Sequence, residues 1–328
     1  MTALVTTFLL SALLCGGYLR FARVRRFLDT PNERSSHSYP TPHGGGTAVL
    51  LAFIAGLLLA AQRYNSWDES FVVLAVAALL LMIVGVIDDL RGLSVRVRMA
   101  LYSLVCLWVA DTLLQSIFID SGASRVVVGL LVALVMLWSL NLYNFMDGID
   151  GIAALQTVLA CCFGAWLSLK SGPSDSYAML CLLLAAAHAG FLIWNCPPAR
   201  LFMGDAGSVP TGFLVAAIAL LGALQGHLNP FCWAILLAVF ITDASWTLVW
   251  RLSTGQAFTQ PHRLHAYQRL SRYWDSHLSV DMLLLAINVM WLFPLAWAVQ
   301  AWPSYSIILV ILAYFPLLCG MAKVGRLA

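Results

Sequence analysis

Apolar runs of roughly 17 to 25 residues alternate with short polar or Pro/Gly-containing breaks along almost the whole chain, the pattern of helices that cross a bilayer. It predicts eleven such helices, near 2–19, 46–62, 71–87, 99–118, 126–142, 151–169, 176–194, 209–226, 231–250, 279–299 and 303–321. The longer polar segments follow the first, third, fifth, seventh and ninth runs, at about 20–45, 88–98, 143–151, 195–208 and 251–278. No long linker, low-complexity tract or internal repeat divides the chain. The expectation is an all-α, polytopic integral membrane protein forming a single membrane domain over 1–328.

Composition narrows the class further. Of 328 residues, 61% are hydrophobic and 10% charged, whereas a soluble domain carries about 25% charged residues. That excludes disorder and an ordinary water-soluble core. A net charge of +3 gives no reason to expect a nucleic-acid partner. The eight cysteines, Cys15, Cys106, Cys161, Cys162, Cys181, Cys196, Cys232 and Cys319, lie mostly inside apolar runs without C-x-x-C spacing. They read as small core hydrophobes, not as a disulfide framework or a zinc site.

Charge placement predicts orientation, because cytoplasmic loops hold an excess of Lys and Arg. The first run lacks a positive n-region and a small-residue cleavage site, and Arg20, Arg23, Arg25 and Arg26 follow it. It reads as a retained anchor with its N-terminus outside. Threading the runs from there puts 15 of the 18 basic residues inside, leaves Arg63, Arg125 and Lys170 outside, and makes the C-terminus cytoplasmic.

The acids gather on the same side. Asp88 and Asp89 end the third run in VGVIDDLRGL, Asp147 and Asp150 follow the fifth in NLYNFMDGIDG, and Asp205 follows the seventh in RLFMGDAGS. Five carboxylates brought together repel unless cations neutralise them. Asn141, Asn144, Asp147 and Asp150 recur every three residues, which on a helix end places four oxygen-bearing side chains on roughly one side. Hard oxygen donors suit Mg²⁺, with Mn²⁺ as the alternative, over zinc. The bland reading of the segment is an Asn/Asp-rich turn between helices.

Gly204 and Gly207 flank Asp205 in a turn that opens onto a helix, suited to holding phosphate oxygens. Phe202 beside it is either an interface anchor or a stacking surface for a base. TQPHRLHAYQRL brings His262, Arg263 and His265 together with Arg269 and Arg272, either an anion clamp or a basic loop that sets topology. In the first polar segment, DTPNERSSHSYPTPHGGG, Asn32, Arg34 and His37 also suit an anionic ligand. Asp243, inside the ninth run, either lines a cavity leading to the site or makes a buried structural hydrogen bond.

In order and spacing, these strings resemble the polyprenyl-phosphate N-acetylhexosamine-1-phosphate transferases (glycosyltransferase family 4), most of all the bacterial branch that initiates O-antigen or other surface glycans. The resemblance covers nearly the whole chain. It implies a bacterial inner-membrane enzyme, active on the cytoplasmic face, that joins a UDP-N-acetylhexosamine to undecaprenyl phosphate with Mg²⁺ and releases UMP. It implies Asp205 and Asn144 as metal ligands, Asp147 and Asp150 at the nucleotide and pyrophosphate, and Phe202 stacked on uracil. His262, Arg263 and His265 would form the diphosphate-binding, sugar-facing loop, and Asp88 and Asp89 would lie near the attacking lipid phosphate. The chain departs from some relatives at Gly92, where they carry a third acid, and at His43, where Arg is expected.

The branch that makes the first peptidoglycan lipid intermediate is the alternative within the family, although it shows a denser histidine cluster than HRLH. A secondary transporter or lipid flippase is the alternative from another class, but transporter sites lie near the midplane, whereas these acids sit at helix ends. Exposed apolar faces leave room for a homodimer.

Overall fold

The computed structural model describes residues 1–25, 27–29, 40–62, 69–115, 122–172, 175–256 and 262–325. Among these the chain is helical apart from turns and one antiparallel pair, β1 (Leu28–Asp29) with β2 (Thr41–Pro42). The chain is thus an all-α polytopic membrane protein.

The helices α1 (Thr2–Arg25), α2 (Gly46–Ala61), α3 (Glu69–Arg91), α4 (Val95–Gln115), α5 (Ala123–Met146), α6 (Ile152–Ser171), α7 (Asp175–Asn195) and α8 (Asp205–Leu224) fall where apolar runs predict them. Then come α9 (Pro230–Leu236), α10 (Ala238–Ser253), the short α11 (Ala266–Trp274) and α12 (His277–Ile287). A π-helical turn at Asn288–Leu292 leads into α13 (Phe293–Ala301), and α14 (Ser306–Val324) closes the fold. Nine helices among the described residues are long and apolar enough to cross a membrane, or ten with α9 and α10 counted as one bent span.

Two of the eleven expected spans take other forms. The run at 46–62 forms a helix of 16 residues, about 24 Å at 1.5 Å per residue against a hydrocarbon core of about 30 Å. It is largely buried, packed among α1, α7, α8 and α3. The run at 231–250 bends by 71° between α9 and α10. The Leu236 carbonyl beside the bend accepts the Gln156 Nε2–H at 2.8 Å, and Asn288 donates in turn to Gln156 Oε1 at 3.1 Å. A polar pair inside the bundle therefore satisfies backbone that the bend frees.

Backbone contact holds the site end of the bundle together. A Cβ on Gly46 would lie 2.1 Å from the Gly207 Cα, and one on Gly85 would lie 2.6 Å from the Asp205 backbone. Only glycine allows α2 and α3 this close to α8. Gly45 and Gly46 also donate to the carbonyls of Phe202 and Met203, both at 2.9 Å. At the far end of α5, Arg125 pairs with Asp111 of α4. All eight cysteines are free, with Cys196 and Cys319 exposed, Cys162 half-buried and the rest buried.

Candidate functional site

A helix begins with backbone N–H groups that have no partner within it. At the start of α8 the N-cap, Gly204, has no side chain to accept them. Asp89, at the end of α3, does so instead: its two carboxylate oxygens accept the Asp205 and Ala206 N–H groups, each at 3.2 Å. A carboxylate at this position is also favoured by the helix dipole.

Its neighbour Asp88 faces the other way, accepting the Leu93 N–H at 2.6 Å and pairing with the Arg98 guanidinium. The same Arg98 Nη1 reaches Asp205 Oδ2 at 3.2 Å. Asp205 Oδ1 accepts the Asn144 Nδ2–H at 2.7 Å, and Ser208 Oγ lies 3.1 Å from that nitrogen. Ends of α3, α4, α5 and α8 thus meet in one polar network.

The four residues spaced by three do not share one side. α5 ends at Met146, so Asn141 and Asn144 remain on the helix while Asp147 and Asp150 lie in the turn. Gly151, at φ +83°, redirects the chain there. Asn141 donates to its own helix, at the Leu137 carbonyl, 2.7 Å away. Burial, then the charges of Asp205, Asp89 and Asp150, push the Asp147 carboxyl well above the usual range. Arg98 supplies one full positive charge against Asp88, Asp89, Asp147 and Asp205, with His43 within electrostatic range of Asp89.

These residues fit a divalent cation that takes part of its coordination from substrate and water. Among the described residues no three acid, His or Cys side chains converge as a preformed cage. Mg²⁺ does not need one, because it is commonly held by one or two carboxylates together with substrate phosphates and water. Asp205 offers carboxylate oxygen at a helix start, and Asn144, whose amide nitrogen is turned to Asp205, keeps its oxygen for another partner.

Asp150 lies to one side. Its Oδ2 accepts the Ala199 N–H at 2.9 Å and is 3.2 Å from His277 Nδ1. It borders an open cavity of about 460 Å³ lined also by Pro197, Arg263, Arg272 and His277. Phe202 is half-buried next to the α8 turn, with its N–H donated to the Pro42 carbonyl at 2.8 Å.

The 262–265 segment is held from behind by Asp243, whose buried hydrogen bonds match one of its two expected roles while the residue also borders an apolar cavity of about 190 Å³. Asp243 Oδ1 accepts from the Ala266 N–H at 3.0 Å and lies 3.1 Å from His265 Nδ1; its Oδ2 accepts the Tyr267 N–H at 3.0 Å. An acid inside α10 therefore caps α11 and orients His265. Tyr267 donates its hydroxyl to the Phe145 carbonyl at 2.8 Å, tying α11 to the turn that carries Asp147. His262 stacks on His265 with ring centres 5.0 Å apart. Burial, His265 and Arg251 push its imidazole down to about 4, so with no anion beside it His262 is neutral near pH 7. Arg34 and His37 lie outside the described residues.

The structure adds residues that the sequence reading missed. Arg98 served there only to set topology; its signal is a place just beyond the Asp88–Asp89 pair, across the Gly92 turn. Ser208 follows Asp205 by three positions in a helix, and His277 begins α12 with Asp281 one turn further along it.

Residues 71–223 match the family described as glycosyl transferase family 4. Over 259 residues the chain is 30% identical to the "Probable undecaprenyl-phosphate N-acetylglucosaminyl 1-phosphate transferase" of Bacillus subtilis (strain 168), covering 76% of this chain and 71% of that protein. The chain belongs to this family of polyprenyl-phosphate N-acetylhexosamine-1-phosphate transferases. It is 30% identical over 260 residues to the undecaprenyl-phosphate alpha-N-acetylglucosaminyl 1-phosphate transferase of Yersinia pestis, covering 75% and 69% of the two chains. A phospho-N-acetylmuramoyl-pentapeptide-transferase of Geobacillus kaustophilus (strain HTA426) is 28% identical over 247 residues, covering 68% and 75%. As a member of glycosyl transferase family 4, the chain is a membrane-embedded glycosyl-1-phosphate transferase. The region matched to the family holds Asp88, Asp89, Arg98, Asn144, Asp147, Asp150 and Asp205, and stops short of His262 and His277.

Proposed function

We propose that this chain transfers N-acetylhexosamine-1-phosphate from a UDP-sugar to undecaprenyl phosphate, releasing UMP and initiating an O-antigen or related surface glycan. The observation that carries the reading is the network in which Asp205, capped by Asp89, meets Asn144 and Arg98. It supplies carboxylate and amide oxygens beside a guanidinium, the chemistry that phosphoryl transfer between two phosphates requires. The 15-to-3 bias of basic residues supports a site on the cytoplasmic face of a bacterial inner membrane.

In this reading an oxygen of the lipid phosphate attacks the β-phosphorus, and the bond to the bridging oxygen breaks with its electron pair leaving on UMP. The second pKa of a phosphate monoester is about 6, so the nucleophile is already dianionic near pH 7 and needs little help from a base. Asp89 then serves to fix the start of α8, and Asp88 to fix Arg98, which offsets phosphate charge. Mg²⁺, with Asp205 and Asn144 as its protein ligands, would supply charge neutralisation on the pyrophosphate. Arg263 and Arg272 at the cavity beside Asp150 suit the anionic part of the donor, and Phe202 suits its base.

The test is UMP release by purified protein given undecaprenyl phosphate, Mg²⁺ and a donor panel that includes UDP-GlcNAc and UDP-MurNAc-pentapeptide. Release with a UDP-HexNAc supports the reading. Release with the pentapeptide donor alone moves the chain to the peptidoglycan branch, and folded protein without turnover on any donor overturns the reading. Retention of configuration at the β-phosphorus would sink direct attack.

A further inference from the structure

Asp150 is braced by a helix that plays no part in the reading above. His277 is the first residue of α12, whose N-cap Ser276 accepts the Ser279 N–H at 3.1 Å. The His277 Nδ1 lies 3.2 Å from Asp150 Oδ2 and 3.4 Å from the Asp150 backbone nitrogen. One ring nitrogen therefore faces an acceptor and a donor of the same residue. With hydrogen on Nδ1 it donates to the carboxylate; without it, it accepts the backbone N–H.

A second acid bears on that choice. Asp281, one turn further along α12, is 5% exposed, and its Oδ1 has no hydrogen-bond partner. Its Oδ2 faces Gly151, where a Cβ would lie 2.5 Å away. Asp281 is within electrostatic range of both His277 and Asp150. Arg263, Arg272 and Asp275 line the cavity that His277 shares, and Cys196 lies near Asp281. The Asp150 carboxylate favours the form with hydrogen on Nδ1, because a bare nitrogen would set its lone pair against Oδ2 at 3.2 Å. Asp281 makes no hydrogen bond to the ring; when ionised it adds to that preference through its charge alone.

We propose that His277 and Asp281 are positioning residues of the donor site: His277 holds the Asp150 carboxylate through its Nδ1–H, and Asp281 keeps His277 in the form that donates. The inference rests on the proposed function for one point, that Asp150 faces the donor nucleotide.

The alternative is that α12 merely packs against the 147–151 turn, and conservative rescue separates the two. In full-length protein, H277A is expected to raise the KM for UDP-GlcNAc about tenfold, the size of one lost charge-assisted hydrogen bond, with a smaller change in kcat. H277N, whose amide N–H can stand where Nδ1–H stood, should recover most of that loss. D281N should raise KM in the wild-type background and have little effect in H277N, whose amide needs no counter-charge. UMP-dependent thermal stabilisation should follow the same order and reads each variant that melts early. H277N as impaired as H277A, or D281N and H277N effects that simply add, overturns the proposal. Wild-type protein that is stabilised by UMP but turns over no donor would sink the reaction assignment and leave this test standing.

Discussion

Asn144 donates its Nδ2–H to Asp205 Oδ1 at 2.7 Å, joining the last turn of α5 to the first residue of α8. A hydrogen bond to a charged group is worth about 1.5–3 kcal/mol. N144A should therefore lower kcat/KM by roughly 10- to 150-fold, and N144D should lose the donor and add repulsion with Asp205. Steady-state UMP release across Mg²⁺ concentrations measures both; an unchanged Mg²⁺ dependence in N144D would remove Asn144 from the cation site.

Arg98 bridges Asp88 and Asp205. R98A leaves both carboxylates without that partner, and R98K keeps the charge while losing the two-way reach of the guanidinium. Activity should fall in the order wild type, R98K, R98A, with R98A down at least about 100-fold, in line with a lost charge-stabilising group in transition-state chemistry. The assay is kcat/KM alongside a melting curve that confirms folding.

D147N is expected to raise the melting temperature in EDTA near pH 7 while abolishing turnover. The folded pKa of Asp147 is raised, so its ionisation opposes folding, and that cost appears as pH rises above the ordinary carboxylate value of about 3.9. Mg²⁺ should stabilise the wild type through binding to the folded state, and D205N much less. Equal Mg²⁺ stabilisation of wild type and D205N would contradict the ligand assignment.

His262 titrates in the opposite sense. Its folded value of about 4 lies below the ordinary 6.5, so the unfolded chain takes up a proton first and stability falls as pH drops from about 6.5 toward 4. H262Q should flatten the melting-temperature profile across that window. A profile identical to wild type would show that the imidazole is not held neutral.

D243A should destabilise the protein by about 1–2 kcal/mol, the cost of a lost helix cap, and should also raise the KM for the donor through His265. Thermal unfolding and donor kinetics read the two effects separately.

Most of the helical plan was legible because apolar length is written directly in the chain. Asp88, Asp89 and Asp205 were legible because acids at helix ends are rare in so apolar a sequence. Arg98 was not, since an arginine near a membrane surface already satisfies the topology rule. The bend after Leu236 was hidden because no Pro or Gly marks it and a distant glutamine satisfies the freed carbonyl. The regular spacing from Asn141 to Asp150 misled because periodicity assumes a continuing helix, and Gly151 ends that continuity. His277 and Asp281 escaped notice because the last long polar segment was weighed for HRLHAYQ alone.

The contact between Gly46 and Gly207 has a mechanical consequence. Side chains can change rotamer when a bilayer thickens, thins or warms, but two backbones in direct contact leave no such slack. Outer helices such as α14 present most of their surface to the lipid, while the register of Asp205 against Asp89 is set by an inner joint between buried glycines. The chemistry of the site is thereby insulated from the physical state of the membrane that surrounds it.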